Sequence, residues 1–306
     1  MKVVFMGTPD FAVPSLQALI DSGKHQVIAV YTQPDKPVGR KKVITAPPVK
    51  QLAEKNGIDV YQPATFRDEK AFEELKSLAP DVIAVIAYGK LLPQSVLDIP
   101  KYGCINIHGS LLPKLRGAAP IQRCVIDGGT ETGVTSMQMN AGLDTGDMLI
   151  AEKVEILPDE TAGELFDRLA PLGAEVLLKT LDAAENGTLS PKKQNDSQST
   201  YASMLSKEEA VIDWNMSAQS IHNKVRGMNP WPVAVTAFNG KKLKIYKTVV
   251  CSKGGKPGSV ISVNPPTVAC GDGSVELSEV QLEGKNRMSA ADFFRGQRIE
   301  NGFVFG

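Results

Sequence analysis

The uninterrupted apolar run at residues 82–87, Val-Ile-Ala-Val-Ile-Ala, constrains the fold more than any other feature of this chain. A strand without polar residues offers no face to water, so this run predicts a place inside a sheet that is covered on both sides. Further strand-like runs occur at 3–6, 27–32 and 103–108, and helical patterns at 11–22, 48–56 and 68–77 lie between them. This alternation predicts an α/β fold with an open, mostly parallel sheet and helices on both faces.

The sequence changes character after a long helical pattern at 162–186. Residues 190–206 are polar and rich in Ser, Lys, Gln and Asn, which predicts a linker between domains. Five short β-like runs follow without helices between them, at 233–238, 242–250, 258–263, 268–269 and 275–280. They predict a small barrel or sandwich. The expected domains are therefore 1–189 and 207–306.

Charge and cysteine usage narrow the class of protein. The net charge is zero, but residues 1–206 carry 21 basic against 25 acidic residues, and residues 207–306 carry 13 against 9. A basic C-terminal part is consistent with an anionic partner such as RNA, or with chance variation between domains. The four cysteines lie far apart without a CxxC pair, which favours a reducing compartment and argues against a disulfide framework or a zinc site.

Two polar residues stand at the end of the predicted strand 103–108. Asn106 and His108 are two positions apart, so they share one face of the strand. Open α/β sheets bind ligands at the carboxyl ends of their strands, and an amide beside an imidazole can stabilise negative charge on a carbonyl oxygen. The alternative is that the pair only caps the strand. Of the other histidines, His25 follows a turn and is predicted to be exposed, and His222 lies on a helical stretch at 218–226.

A second candidate segment has Asp144 between Gly142 and Gly146. Glycines allow the chain to approach a neighbouring strand closely, and a carboxylate there could orient His108. The spacing alone does not show that the two residues meet. The alternative is a polar turn in which Asp144 or Asp147 bonds the local backbone.

Two N-terminal segments are also informative. Gly7 follows the first predicted strand, but the second and third glycines of a dinucleotide-binding motif are absent, which argues against a nicotinamide oxidoreductase. Residues 33–47 contain four basic residues and several Gly or Pro breakers, and they predict a mobile surface loop.

Three segments together resemble the methionyl-tRNA formyltransferases, a family within the folate-dependent formyltransferases. They are Met-Gly-Thr-Pro-Asp-Phe-Ala-Val-Pro at 6–14, Ser-Leu-Leu-Pro-Lys-Leu-Arg-Gly-Ala-Ala-Pro-Ile at 110–121 and Gly-Leu-Asp-Thr-Gly-Asp at 142–147. The basic loop at 36–42 and the Arg-Gly-Met-Asn-Pro-Trp-Pro segment at 226–232 point to the tRNA enzymes in particular. The resemblance extends over essentially the whole chain. It implies a Rossmann-like catalytic domain and an OB-like C-terminal barrel that binds tRNA.

The resemblance also implies an activity. The formyl group of 10-formyltetrahydrofolate would pass to the α-amino group of methionyl initiator tRNA, in preparation for translation initiation. Asn106 and His108 would contact the formyl oxygen, and Asp144 would hold His108 in place. Further implied site residues are Tyr88, Gly89, Leu91, Ser110, Leu111, Leu112 and Pro113 for folate, and Arg40, Lys41 and Lys42 for tRNA. No metal, no membrane, a monomer and a bacterial cytoplasm are expected.

Three alternatives share parts of this pattern. A sister formyltransferase that acts on an amino sugar nucleotide has the same catalytic core, usually with a further domain. An RNA-binding protein on an inactive formyltransferase scaffold would not need Asn106, His108 and Asp144. A hydrolase that releases formate from the same folate would have no use for a basic C-terminal domain.

Overall fold

The structure is a computed structural model that describes residues 1–39 and 41–306. Its strands are β1 (Lys2–Gly7), β2 (Gln26–Tyr31), β3 (Lys36–Val38), β4 (Val43–Thr45), β5 (Val60–Tyr61), β6 (Val82–Ile86), β7 (Cys104–His108), β8 (Arg116–Gly117), β9 (Glu131–Gln138), β10 (Met148–Glu155), β11 (Tyr201–Ala202), β12 (Ala234–Phe238), β13 (Lys241–Cys251), β14 (Val260–Val263), β15 (Pro266–Ala269), β16 (Ser274–Leu282) and β17 (Met288–Ser289). Its helices are α1 (Val13–Ser22), α2 (Pro48–Lys55), α3 (Glu69–Ser77), α4 (Gln94–Leu97), α5 (Pro120–Ile126), α6 (Ala162–Glu185), α7 (Ala218–Gly227) and α8 (Ala290–Gln297).

The chain divides into two compact units. The first contains residues 1–117, 132–154 and 166–201, and the second contains 118–131, 155–165 and 202–306. Residues 190–201, which the sequence places in a linker, belong to the first unit. The functional limits of 1–189 and 207–306 stay a prediction.

The first unit is built on a seven-stranded sheet in the order β10-β9-β7-β6-β1-β2-β5. Strands β2, β1, β6 and β7 run parallel, as predicted, and the short strand β5, which was not predicted, extends this parallel part beside β2. Strand β6 lies between β1 and β7, and all five of its residues are buried. Its apolar run is thus explained by cover on both faces. The fold is the expected Rossmann-like α/β arrangement.

Strands β9 and β10 are absent from the sequence prediction. Strand β9 pairs antiparallel with β7, so the sheet is mixed. Three of its residues, Thr132, Thr135 and Ser136, are buried hydroxyl side chains that break the apolar pattern. Strand β10 forms the edge of the sheet and alternates between half-buried and exposed residues over its second half. Neither strand therefore has the continuous apolar run by which the others were predicted.

The prediction that His25 is exposed is wrong. Its ring is buried in the first unit, and Nε2 lies 3.2 Å from a carboxylate oxygen of Asp182 on helix α6. The turn before His25 leads directly into strand β2, which carries the ring under the helix. The sequence around a turn gives no indication of a helix that follows more than a hundred residues later.

The second unit is an antiparallel, strand-rich fold consistent with the expected OB-like barrel. Its strands are ordered β12-β13-β16-β15-β14, and β17 pairs with β16. The core includes Phe238, Phe293, Phe294 and Phe305, whose rings pack at centroid distances of 5.1 to 6.3 Å. His222 on helix α7 is buried in this unit, where Nδ1 lies 3.0 Å from the Thr248 hydroxyl.

Candidate active site

The carboxyl end of strand β7 carries two of the predicted site residues. Strand β7 lies between parallel β6 and antiparallel β9, and His108 is its last residue. Asn106 stands two positions earlier and so shares a face with His108. Asn106 is half-buried, and within the described parts of the chain its side-chain amide has no hydrogen-bond partner. This amide can therefore bind a ligand without breaking a contact in the protein.

The His108 ring is buried, and both of its nitrogens face oxygen atoms. Nε2 lies 2.9 Å from the backbone oxygen of Leu115, and Nδ1 lies 3.7 Å from Oδ2 of Asp144. A carbonyl oxygen only accepts hydrogen bonds, so Nε2 is the donor to Leu115. The contact with Asp144 is longer than a hydrogen bond but within the range of an ion pair. The structure thus brings His108 and Asp144 together, which the spacing in the sequence could not show.

Asp144 lies on the turn between β9 and β10, in the left-handed region at φ +52°. Its Oδ2 accepts a hydrogen bond of 2.7 Å from the backbone nitrogen of Gly117. The turn closes tightly at Gly146, where an added Cβ would lie 1.6 Å from the backbone oxygen of Gln138. Glycine is required there because any side chain would meet backbone. The Asp144 carboxylate thus has its partners on β7 and on the segment that follows β7, rather than on its own turn.

The turn after β7 contains four of the predicted folate contacts. Thr135 on strand β9 donates a hydrogen bond of 2.7 Å to the backbone oxygen of Ser110 and accepts one of 3.2 Å from the nitrogen of Leu112. Ser110 and Leu112 are buried, whereas Leu111 and Pro113 are half-buried. The hydroxyl of Thr135 therefore fixes this turn against the sheet.

The other predicted folate contacts follow strand β6. The Tyr88 ring lies in the core beside Phe66, and this burial raises the pKa of Tyr88 to about 12. Its backbone oxygen accepts a hydrogen bond of 3.1 Å from Gln33, and the oxygen of Gly89 accepts one of 3.2 Å from the same amide. The Leu91 side chain is 83% exposed. Of the three residues, Leu91 is thus the one whose side chain faces solvent.

Lys41 and Lys42 lie on the surface, at the tip of a short hairpin formed by β3 and β4. These two strands, which pair from Lys36 opposite Thr45 to Val38 opposite Val43, were not predicted from the sequence, and the predicted mobility of the loop stays a prediction. Val43 and Ile44 beside the two lysines are exposed as well. Arg40, the third predicted tRNA contact, lies outside the described residues.

A network of polar side chains at the base of this hairpin was missed by sequence reasoning. Asp35 accepts hydrogen bonds from Gln62 at 2.8 Å and from Lys50 at 2.9 Å, and these bonds lower the pKa of Asp35. The Gln62 amide also donates to the backbone oxygen of Gln33, whose side chain holds the loop after β6. Single polar residues far apart in the chain carry no pattern that could have predicted this network.

Sequence reasoning also missed Gln194, which is buried although it lies in the predicted linker. Its side-chain amide donates to the backbone oxygen of Asp144, and its side-chain oxygen accepts from Arg116. A glutamine within a polar stretch gives no indication of burial. The only available signal was the position of Arg116, three residues after the turn at 110–113.

The chemistry of the site follows from these contacts. An unpaired amide donor next to an imidazole can stabilise an oxygen that gains negative charge during a reaction. Among residues 1–39 and 41–306, no three His, Cys, Asp or Glu side chains are grouped so that they could hold a metal ion. In the same residues, no helix combines the length and apolar character that a membrane span requires.

Comparisons with known proteins agree over the whole chain. Residues 1–181 match the formyl transferase family, and residues 204–298 match the formyl transferase C-terminal domain. The chain is 52% identical to the methionyl-tRNA formyltransferase of Geobacter metallireducens, over 100% of this chain and 99% of that protein. It is also 52% identical to the methionyl-tRNA formyltransferase of Lachnospira eligens, over the full length of both.

Solved structures with less similar sequences have the same fold. The sugar 3N-formyl transferase WlaRD, solved with dTDP and 5-N-formyl-THF, has a TM-score of 0.66 at 20% identity, over 94% of this chain and 99% of that one. HypX from Aquifex aeolicus, solved with tetrahydrofolic acid, has a TM-score of 0.65 at 17% identity, over 96% of this chain. The chain spans only 47% of HypX.

Proposed function

The chain belongs to the family of methionyl-tRNA formyltransferases, and we propose how its residues divide the work of that reaction. The enzyme transfers the formyl group of 10-formyltetrahydrofolate to the α-amino group of methionyl initiator tRNA, and the formylated product serves translation initiation. The observation that carries this function is the 52% identity to relatives of that name over the full length of the chain.

The nucleophile is the α-amino group of methionine, whose ordinary pKa of about 7.7–8.0 leaves a useful fraction neutral near pH 7. Its nitrogen forms a bond to the formyl carbon, and the formyl oxygen takes up the negative charge. The bond from that carbon to the folate nitrogen then breaks. The proton that the amine loses ends on the folate nitrogen, so that no net proton is consumed.

Asn106 is the first donor to the formyl oxygen, since its amide has no other hydrogen-bond partner in the described chain. His108 is the second donor: Nε2 exchanges the backbone oxygen of Leu115 for the oxygen of the substrate. Asp144 keeps its place beside Nδ1 and prevents the ring from turning away. His108, or a water molecule that it orients, delivers the proton to the leaving nitrogen, and Asp144 assists the relay.

The folate lies between the turn at 110–113 and the loop that follows β6. Exposed Leu91 and half-buried Leu111 and Pro113 provide apolar surface for a flat ring. Backbone groups of the loop at Tyr88 and Gly89 and of the turn at Ser110 and Leu112 can pair with the polar edge of a pterin. Binding sites of this kind combine apolar walls with a few fixed polar groups.

The tRNA is bound by two regions. Arg40, Lys41 and Lys42 contact the acceptor end, and the basic segment 207–306 contacts phosphates further along. The chemistry belongs to residues 1–189, with 190–206 between the two. We further propose that the protein acts as a monomer in the bacterial cytoplasm, where its tRNA substrate is found.

The test is transfer of radiolabelled formyl from 10-formyltetrahydrofolate to methionyl initiator tRNA, with methionyl elongator tRNA and a dTDP-amino sugar as competing acceptors. We expect labelling of the initiator tRNA, and a fall of about 10²–10³ in kcat for His108→Ala, which removes one oxyanion donor. Labelling of the sugar instead of tRNA would refute the acceptor. Full activity of His108→Ala would refute the proposed site.

A further inference from the structure

We infer that Gln194 is a positioning residue for the reaction, because it fixes the turn that presents Asp144 to His108. This inference rests on the roles proposed above for those two residues. Gln194 itself is not placed in contact with substrate. It acts through backbone atoms of the Asp144 turn.

The side chain of Gln194 is fully used in hydrogen bonds to two different segments. Nε2 donates to the backbone oxygens of Asp144 at 2.8 Å and of Gly146 at 2.7 Å. Oε1 accepts from Nε of Arg116 at 3.0 Å and from Nη2 of the same guanidinium at 2.9 Å. The residue is 7% exposed, so water competes little for these bonds. One amide thus joins the Asp144 turn to the segment that follows β7.

Gln194 lies on a segment that is itself held at both ends. We call residues 192–200 the strap. At its start, Lys192 and Met148 exchange backbone hydrogen bonds of 2.8 and 2.9 Å. At its end, the Thr200 hydroxyl accepts from the nitrogen of Leu115 at 2.9 Å. The strap is therefore attached to strand β10 on one side and to the turn beside His108 on the other.

The strap holds both groups that face the imidazole. Leu115, whose oxygen meets Nε2 of His108, is bound through Thr200. Asp144, whose carboxylate meets Nδ1, is bound through Gln194. Asp144 also adopts a left-handed backbone conformation, which persists only where the surroundings fix it. Without Gln194, the backbone oxygens of Asp144 and Gly146 lose the donor that joins their turn to the strap.

Gln194→Glu tests this inference most directly. The change keeps an oxygen for Arg116, and the new carboxylate forms an ion pair with that guanidinium, so the buried charge has a partner. It removes the two N–H donors and places a carboxylate oxygen next to the two backbone oxygens that these donors bonded. Gln194→Met keeps the volume and removes every hydrogen bond. Gln198→Glu is the matched control, because it makes the same change on an exposed residue of the strap.

We expect both Gln194 variants to lower kcat by about 10- to 100-fold, the range for small misplacements of a catalytic group, with KM for folate and for tRNA changed less than about threefold. Gln198→Glu keeps full activity. In an Asp144→Asn background the Gln194 changes cost less than about twofold, because the positioned carboxylate is already absent. A side chain that only stabilised the fold would lower activity by the same factor in both backgrounds.

The outcomes separate the inference from the proposed function. If Asp144→Asn lowers kcat and the Gln194 variants do not, the positioning role is wrong and the site stands. Equal losses in both backgrounds, or losses confined to KM, also overturn the positioning role. If Asp144→Asn itself has full activity, the proposed role of Asp144 is wrong, and with it the basis for the role of Gln194. Thermal unfolding shows which of Gln194→Glu and Gln194→Met keeps a Tm nearer to that of the parent protein, and the kcat of that variant is the one compared.

Discussion

The tight turn at Gly146 offers the sharpest test of how strictly the Asp144 carboxylate must be placed. In Gly146→Ala, the new Cβ would lie 1.6 Å from the backbone oxygen of Gln138, whereas real Cβ contacts stay beyond 3.0 Å. Neither atom belongs to a flexible side chain, so the backbone of the turn has to separate from strand β9. The required shift exceeds about 1 Å, a displacement that costs about 10²-fold in rate when it affects a catalytic group.

We therefore expect Gly146→Ala to lower kcat by about 10²-fold. The free energy of unfolding should fall by about 1–3 kcal/mol, which is typical of overpacking, and each kcal/mol lowers Tm by about 2–4 °C in a folded unit of about 150–250 residues. The hydrogen bond from Gln194 to the oxygen of Gly146 is strained by the same movement. Asn106 and the turn at 110–113 are not touched, so the affinity for folate should change little.

The assay combines steady-state formyl transfer with thermal unfolding. Gly254→Ala is the control, because a Cβ at that position meets nothing within 4 Å. A folded Gly146→Ala variant with kcat within about twofold of the parent would refute the reasoning, since the displacement could then not matter for the chemistry. A loss that appears only in KM would refute it equally.

Three further predictions concern separate parts of the molecule. Asn106→Leu should lower kcat by about 10²–10³ with folate KM nearly unchanged, and normal turnover would exclude the amide as an oxyanion donor. Replacing both Lys41 and Lys42 by Ala should raise KM for tRNA. In a plot of log KM for tRNA against the logarithm of the salt concentration, the slope should fall by about 1–2. An unchanged slope would mean that the hairpin does not contact phosphates. Burial, together with nearby Arg226, lowers the pKa of His222 below its ordinary value of about 6.5. At a pH between these two pKa values, the unfolded chain therefore binds more protons than the folded chain. The free energy of unfolding should thus fall as the pH drops through about 6.5, and urea titrations should show a smaller fall for His222→Gln.

Much of the fold could be predicted because burial leaves a local pattern. The run at 82–87 indicated a strand covered on both faces, and β6 is buried throughout. The pattern failed for β9, where the Ser136 hydroxyl lies 2.7 Å from the Thr180 hydroxyl on helix α6. A buried hydroxyl costs free energy unless it has such a partner, and that partner is supplied by folding.

The sequence by itself determined the mostly parallel sheet, the strand-rich C-terminal unit and the shared strand face of Asn106 and His108. These follow from periods of two or three to four residues, which are properties of neighbouring positions in the chain. Only the tertiary structure decided that Asp144 faces His108, that His25 is buried and that Gln194 joins Arg116 to the Asp144 turn. The residues in each of those contacts are between 36 and 157 positions apart in the chain. A local period carries no information over such a separation.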